Sequence, residues 1–126
     1  MKQKLIALLF IATIYSCHKN GLLSQAEESK ILNELHTEIQ ELAQREACTD
    51  AGEWAYTAIG AKACGGPAAY IAYPLRIDTE RFLKKVEQYT TMQDNYNTKW
   101  KIISDCALTP QPTGVECVQG TAQLIY

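Results

Sequence analysis

The residue types best suited to chemistry are concentrated in one stretch, residues 48–73. It reads CTDAGEWAYTAIGAKACGGPAAYIAY and contains two cysteines, one tryptophan and three tyrosines. Aromatic ring faces suit the binding of a glycan or a peptide. A glycine pair before a helix start directs main-chain amides towards an anion. Each group also has a structural interpretation, since aromatic side chains fill the core of a small domain and glycines form tight corners.

The candidate ligand-binding residues follow from these types. Four aromatic residues would form the platform, two glycines the anion-binding turn, and one lysine is the charged residue best placed in the same loop. They are Trp54, Tyr56, Tyr70 and Tyr73, then Gly65 and Gly66, and Lys62.

Catalytic groups are scarce in this chain. His18 and His36 are its two histidines, and His18 lies in the N-terminal tether. A Ser-His-Asp or Cys-His arrangement would therefore have to recruit His36, which abuts the apolar stripe of a predicted helix. Glu38 and Glu41 fall on the face of that helix that we expect to be solvated, where general acid–base chemistry is not favoured. We predict no catalytic residues and no cofactor; the alternative is a small hydrolase using carboxylates near residues 64–67.

The N-terminal residues combine a basic start, a short apolar run and a cysteine. Lys2 and Lys4 precede an apolar run over residues 5–14, about half the ~20 residues that a membrane-spanning helix needs. Residues 14–17, Ile-Tyr-Ser-Cys, resemble the lipobox of bacterial lipoproteins, in which the cysteine is lipidated and becomes the first mature residue. We therefore predict a signal peptide over residues 1–16, lipidation at Cys17, a tether over 17–23 and one domain over 24–126. The alternative is an ordinary secretory signal with an incidental cysteine.

The other four of the five cysteines, Cys48, Cys64, Cys106 and Cys117, predict two disulfides in an oxidising compartment. No C-x-x-C pair is present and the histidines are distant in sequence, so we predict no metal site. Four cysteines allow three connectivities, which a sequence does not distinguish. We favour Cys48–Cys64 with Cys106–Cys117, because turn residues lie within each short loop; the rival pairing is Cys48–Cys117 with Cys64–Cys106.

The charge balance argues against a nucleic-acid partner. Without Lys2 and Lys4, ten basic residues remain against fourteen acidic ones, a net charge near −4. Nucleic-acid binding needs a concentrated basic face. We expect acyl chains at Cys17, not electrostatic attraction, to hold the protein to a membrane.

Helical periodicity predicts two long helices. The first begins with a capping box at Ser24 and Glu27 and ends near Ala47. The second is capped by Asp78 or Thr79 and continues to about Asp105. Its apolar seam is spaced four and three residues apart, which is typical of a helix packed on another helix. The members of this seam are Phe82, Val86, Tyr89, Gln93, Tyr96, Trp100 and Ile103.

The remaining elements are short. Residues 53–59 are rich in aromatic and β-branched residues and predict a strand, whereas Pro67 predicts the start of a short helix over 68–73. Residues 115–118 and 121–126 flank Gln119-Gly120 and predict a hairpin. We expect the hairpin to pair with the single strand. The result is an α+β fold: two antiparallel helices, a small antiparallel sheet with one central strand plus the C-terminal hairpin, and two disulfides.

Several motifs in this order resemble a set of small uncharacterised lipoproteins of Bacteroidota-type bacteria. The motifs are C-x-x-x-x-x-W, G-x-K-x-C-G-G-P-x-x-Y-I-x-Y, W-x-I-I-S-D-C-A and G-V-E-C-V. They occupy Cys48, Trp54, Gly60, Lys62 and residues 64–67, 70–73, 100–107 and 114–118. The resemblance implies a periplasmic, disulfide-bonded lipoprotein. A fainter resemblance, carried by Trp100 and Cys106, is to the LprI-type lysozyme inhibitors.

These observations predict a non-enzymatic binding or inhibitor module in the bacterial cell envelope. Its partner would be a protein or a cell-wall glycan. His18-Lys19-Asn20 follows Cys17, where surface-directed lipoproteins of this type carry an acidic cluster. By that resemblance, we expect an outer-membrane lipoprotein that faces the periplasm.

Overall fold

The structure, a computed structural model, describes residues 22–126. The predicted signal peptide, Cys17, His18 and most of the tether lie outside the described residues. The elements follow in the order α1 (Gln25–Ala43), a short 3-10 helix (Ala51–Glu53), β1 (Trp54–Ala61), β2 (Pro67–Pro74), α2 (Thr79–Trp100), β3 (Gly114–Val118) and β4 (Thr121–Ile125).

Helix α1 begins at the predicted capping box. The Glu27 amide donates to Ser24 Oγ at 3.3 Å, and the Ser24 amide donates to Glu27 Oε2 at 2.8 Å. The helix ends at Ala43, four residues before the predicted end. The chain turns there and brings the Cys48 amide to the Gly120 carbonyl at 2.8 Å.

Helix α2 is capped by Asp78, whose side chain accepts from the Arg81 amide at 3.0 Å. The prediction that it continues to about Asp105 is wrong. Lys101 adopts a left-handed conformation with φ 50°, and the Ile102 amide donates to the Asn97 carbonyl, which closes the helix at Trp100. Ile103, predicted as the last seam residue, is 92 % exposed.

The two helices pack against each other in antiparallel order, as predicted. The Trp100 indole N–H at the end of α2 donates to Glu28 at the start of α1, at 2.7 Å. Further along, His36 stacks on Tyr89 with ring centroids 5.0 Å apart, and Lys85 lies 2.9 Å from Glu38. Contacts therefore run from one end of the pair to the other.

The predicted short helix over residues 68–73 is wrong, because this segment is strand β2. It pairs antiparallel with β1 in the register Trp54↔Pro74 to Ala61↔Pro67. The turn between the strands is closed by the Lys62 amide to the Gly66 carbonyl at 3.0 Å and the Gly65 amide to the Lys62 carbonyl at 2.9 Å. An isolated helix of six residues is marginal in water, whereas the hairpin satisfies the same main-chain groups across the ladder.

The C-terminal hairpin forms around Gln119-Gly120 as predicted, but it does not join β1. Strands β3 and β4 pair from Gly114↔Ile125 to Val118↔Thr121 and make a separate two-stranded sheet. The α+β class and the two disulfides are confirmed. The prediction of one central strand extended by the hairpin is wrong, since the strand already has β2 as its partner.

The β1–β2 sheet has one face on the helices and one on the second hairpin. Residues of a strand alternate between faces, so Ile59, Ile71 and Tyr73 share the helical face. Phe82 and Tyr73 stack there with centroids 4.8 Å apart. The buried cluster at this interface consists of Ile39, Ala43, Ile59, Tyr73, Phe82 and Val86.

The free edge of β1 is partly covered by polar side chains of α2. Gln93, the polar member of the predicted seam, accepts from the Ala61 amide at 2.8 Å, and Thr90 Oγ1 accepts from the Gly60 amide at 2.9 Å. Asn97 donates to the Ala61 carbonyl at 2.9 Å. Gly60 permits this approach, because it has φ 74° and a Cβ there would contact Gln93 and lie 3.1 Å from the Ala68 Cβ.

The favoured disulfide pairing, Cys48–Cys64 with Cys106–Cys117, is wrong. The bonds are Cys48–Cys117 and Cys64–Cys106. The β1–β2 hairpin keeps Cys48 and Cys64 apart. Cys48 precedes the base of this hairpin and Cys64 lies at its tip, so that a strand length of roughly 20 Å separates them. A disulfide requires Cα atoms within about 7 Å.

Candidate functional site

A groove lies where the C-terminal end of α1, strand β2 and strand β4 meet, and we call it the hairpin groove. Its volume is about 640 Å³, within the range of small-molecule binding clefts, about 300–1,000 Å³. One wall is formed by the end of α1 and the residues after it, Gln40, Ala43, Gln44 and Glu46. The β1–β2 sheet contributes Trp54, Tyr70, Ile71 and Ala72. The other wall is formed by residues 120–124 and Tyr126.

Two of the four predicted platform residues line this groove. Trp54 and Tyr70 lie on the same face of the β1–β2 sheet, the one turned away from the helices, and both are half-buried. Tyr56 shares that face, with its ring 6.2 Å from Tyr70 in an edge-on arrangement. Its hydroxyl donates to the Pro112 carbonyl at 2.7 Å, so Tyr56 supports Tyr70 and does not line the groove.

Tyr73 does not belong to the platform. It projects to the opposite face of β2, packs on Phe82 and is 8 % exposed. Side chains along a strand alternate between the two faces of the sheet, and Tyr73 lies three positions after Tyr70, so the two tyrosines project to opposite faces. The helix predicted for this segment would have placed them on a common face.

Lys62 is held by the irregular segment after α2, residues 102–113, which we call the strap. Its ammonium lies 2.8 Å from Asp105 and also donates to the Ala107 carbonyl. The Lys62 side chain is only 18 % exposed. Together with the Cys64–Cys106 disulfide and a 2.9 Å hydrogen bond from Thr109 to the Pro67 carbonyl, it fastens the strap to the hairpin tip. Lys62 therefore has a structural role.

The ion pair with Lys62 lowers the pKa of Asp105, with help from a hydrogen bond donated by the Ala107 amide. Asp105 thus stays ionised, and available to Lys62, to a lower pH than an isolated aspartate does. Its side chain is largely exposed, so the net contribution of the pair to stability is small.

Gly65 and Gly66 lie at the exposed tip of the hairpin. Their φ angles are 93° and 81°, and a Cβ at either position would meet no heavy atom within 4 Å. The predicted anion site required a helix beginning at Pro67, and a strand begins there instead. Because the Gly65 amide donates to Lys62, the glycines serve the turn conformation.

Sequence reasoning missed the polar residues of the groove. Gln40 and Gln44 belong to the end of α1, and Gln123 and Tyr126 to the β4 side; all four are exposed. In the sequence, such residues look like an ordinary solvated surface. Only the packing of the second hairpin against β2 brings them opposite each other.

Two strand edges that have no partner strand in the described part of the chain border the groove. Consecutive residues of β2 (70–72) and of β4 (121–124) line it. In an antiparallel pair, only alternate residues hydrogen-bond across the ladder, and the others direct their N–H and C=O groups to the outer edge. Within residues 22–126, no hydrogen bond from another element reaches these stretches. The groove therefore offers main-chain donors and acceptors as well as side chains.

The carboxylates of α1 are solvated. A shallow furrow of about 740 Å³ follows α1 and includes Glu34, Glu38 and Glu41, but a single helix lines it. No charged side chain is buried between Leu22 and Tyr126. His36 is half-buried and stacks on Tyr89. Burial raises the pKa of the Tyr89 phenol. The hydrolase alternative thus has no buried carboxylate pair in its favour in this part of the chain.

The described residues contain no group of three or more His, Cys, Asp or Glu side chains placed to hold a metal ion. None of the described helices has the length and apolar character needed to cross a membrane. No family model, curated protein or solved structure matches the chain.

Proposed function

We propose that this protein is a non-enzymatic binding module of the bacterial cell envelope. Lipid at Cys17 holds it to the outer membrane on the periplasmic side, and the domain presents the hairpin groove to a cell-wall glycan or to a protein. The anchor rests on the lipobox-like residues 14–17 and the basic, apolar segment before them.

One observation carries the binding role. The hairpin groove gathers Trp54 and Tyr70 from the first hairpin and Tyr126 from the end of the second, so that aromatic rings from distant parts of the chain line one open cleft. Aromatic rings that line an open cleft are typical of recognition surfaces, because they supply large contact areas at low cost in conformational entropy.

The groove is tested with the full chain carrying Cys17→Ser, sedimented with envelopes from the source bacterium. We expect the parent to co-sediment and a Gln44→Ala/Tyr126→Ala variant to lose most of this binding, because both side chains line the groove and are exposed. The matched control is Leu108→Ala, which removes a 96 % exposed apolar side chain from the strap. Equal binding by the groove variant and the control would contradict the proposal.

The anchor has its own test. In cells, Cys17→Ser should move the protein from the membrane fraction to the soluble periplasmic fraction, because two or more acyl chains are what make such anchoring stable. Lys19→Ser is the control, since it changes a neighbouring residue and keeps the cysteine. Membrane partition that is unchanged by Cys17→Ser would refute lipid anchoring at this residue.

A further inference from the structure

The described side chains that line the hairpin groove carry no positive charge. Among residues 22–126, no lysine or arginine lines it, and the one carboxylate side chain that does is that of Glu46. An anionic ligand would find no counter-charge and would be repelled by Glu46. The groove therefore disfavours phosphate-bearing and uronic-acid ligands.

Uncharged hydrogen-bonding groups take the place of ionic ones. Gln40 and Gln44 line one wall of the cleft, and Gln123 lines the other. Each glutamine amide offers two donors and a carbonyl acceptor. The outward main-chain groups of β2 and β4 add further donors and acceptors along the groove. A ligand that matches this set carries many neutral groups that both donate and accept, as hydroxyls do.

The aromatic residues complete the match. Trp54 and Tyr70 are half-buried, and Tyr126 is 66 % exposed, so none of them closes the cleft into a dry pocket. The binding energy of protein partners is concentrated in well-packed pockets from which water is excluded. An open, wet groove with flat rings instead suits sugar rings, whose C–H faces stack on aromatic faces while their hydroxyls stay hydrated.

From these three features, we propose that the hairpin groove binds an uncharged glycan chain. This inference rests on the proposed binding function and names the class of its ligand. The shared chemistry is that of a neutral polymer of hexose or N-acetylhexosamine units, whether from the cell wall or from outside the cell.

The probes are chitohexaose and cellohexaose as neutral chains, and oligogalacturonate as an anionic chain of similar length. They are titrated into the full-length Cys17→Ser protein while the indole N–H resonance of Trp54 is followed by NMR. We expect saturable shifts with at least one neutral chain and at least tenfold weaker binding of oligogalacturonate. A preference between the two neutral chains would distinguish N-acetylated from plain hexose ligands.

The variant Gln44→Ala/Gln123→Ala should weaken neutral-chain binding at least fivefold, because it removes exposed amides from both walls without disturbing the core. Gln111→Ala is the matched control, since Gln111 is an exposed glutamine of the strap outside the groove. No binding of either neutral chain, equal binding of the anionic chain, or equal weakening by the control would overturn the proposal.

These outcomes are separable from failure of the binding function itself. If the neutral chains do not bind but the groove variant still loses envelope binding, the binding module stands and the glycan class is wrong. The unpaired edge of β2 would then indicate an extended peptide that adds a strand to the sheet. If the groove variant also keeps envelope binding, both proposals fail.

Discussion

At the scale of single residues, Gly60 shows how one position allows helix and sheet to meet. It is buried, has φ 74° and lies against Gln93, Ala68 and Tyr89. The contact satisfies the main-chain edge of β1 through the side chains of α2. A glycine in a strand commonly marks such a close approach.

Gly60→Ala should therefore destabilise the protein more than the same change at Gly66. Each adds a Cβ at a positive φ, which costs about 1–3 kcal/mol. Only Gly60→Ala also displaces Gln93 and loses its hydrogen bond to Ala61, a further cost of about 1 kcal/mol. The free energies of unfolding, measured in urea, give the comparison. Equal losses in the two variants would contradict this packing of β1 on α2.

At the scale of elements, the ends of the helix pair are joined by Glu28. Its carboxylate accepts from Lys99 and from the Trp100 indole, and Lys99 lies 4.9 Å from the Trp100 ring centre. The hydrogen bond from Lys99, followed by that from Trp100, lowers the pKa of Glu28 below its ordinary value of 4.5. Because the folded-state pKa is lowered, this contribution to stability is present above pH 4.5 and is lost as the pH falls through the lowered value.

Glu28→Gln should therefore lower the melting temperature at pH 7, and its difference from the parent should shrink below pH 4.5. Glu34→Gln is the control, because Glu34 forms an exposed pair with Lys30 at 3.8 Å, and such pairs contribute little. Thermal unfolding of the parent and the two variants between pH 7 and pH 3 measures these differences in melting temperature. A difference that stays constant or grows towards acid pH would rule out the proposed role of Glu28.

The two disulfides differ in accessibility. Cys48 is 2 % exposed, whereas Cys64 and Cys106 are both exposed at the hairpin tip. Disulfide exchange requires access of a thiolate to sulfur. We expect low concentrations of dithiothreitol to reduce Cys64–Cys106 first, as detected by alkylation and peptide mapping. Earlier alkylation of Cys48 and Cys117 would contradict the described burial.

The unreduced protein should yield linked peptides that join Cys48 to Cys117 and Cys64 to Cys106. The bonds span 69 and 42 residues, and the chain-entropy treatment gives roughly 4 kcal/mol of stabilisation for each. Removing either bond is therefore a large loss for a domain of ordinary stability, about 5–15 kcal/mol. A linked peptide joining Cys48 to Cys64 would restore the local pairing and exclude this fold.

At the scale of the whole molecule, the elements that can be predicted from the sequence are those whose signals lie within a few neighbouring residues. The capping box at Ser24, the Asp78 cap and the Gln119-Gly120 turn each act within a few residues, and α1, α2 and the C-terminal hairpin form at these positions. Strand β2 is different, because its pairing with β1 outweighs the helix signal of Pro67 followed by alanines.

The groove and the disulfides could not be predicted for the same reason. Gln40 and Gln123 are 83 positions apart in the sequence and come together only through the packing of two hairpins and a helix. The short-loop preference for Cys48–Cys64 failed because a hairpin places the two cysteines at opposite ends. Residue type alone selects Trp54 and Tyr70, which line the groove. It also selects Tyr73, which strand β2 turns into the core, and Lys62, which the strap holds.

Site-specific photocrosslinking in living cells tests the central claim, that the hairpin groove is the binding surface, most directly. A benzoylphenylalanine residue replaces Gln44 or Gln123 in the groove, and Gln111 in the strap as the control; all three are exposed. We expect crosslinks to envelope glycan or protein from both groove positions and little from position 111. Crosslinks from position 111 alone, or equal yields at all three positions, would contradict the assignment of this groove.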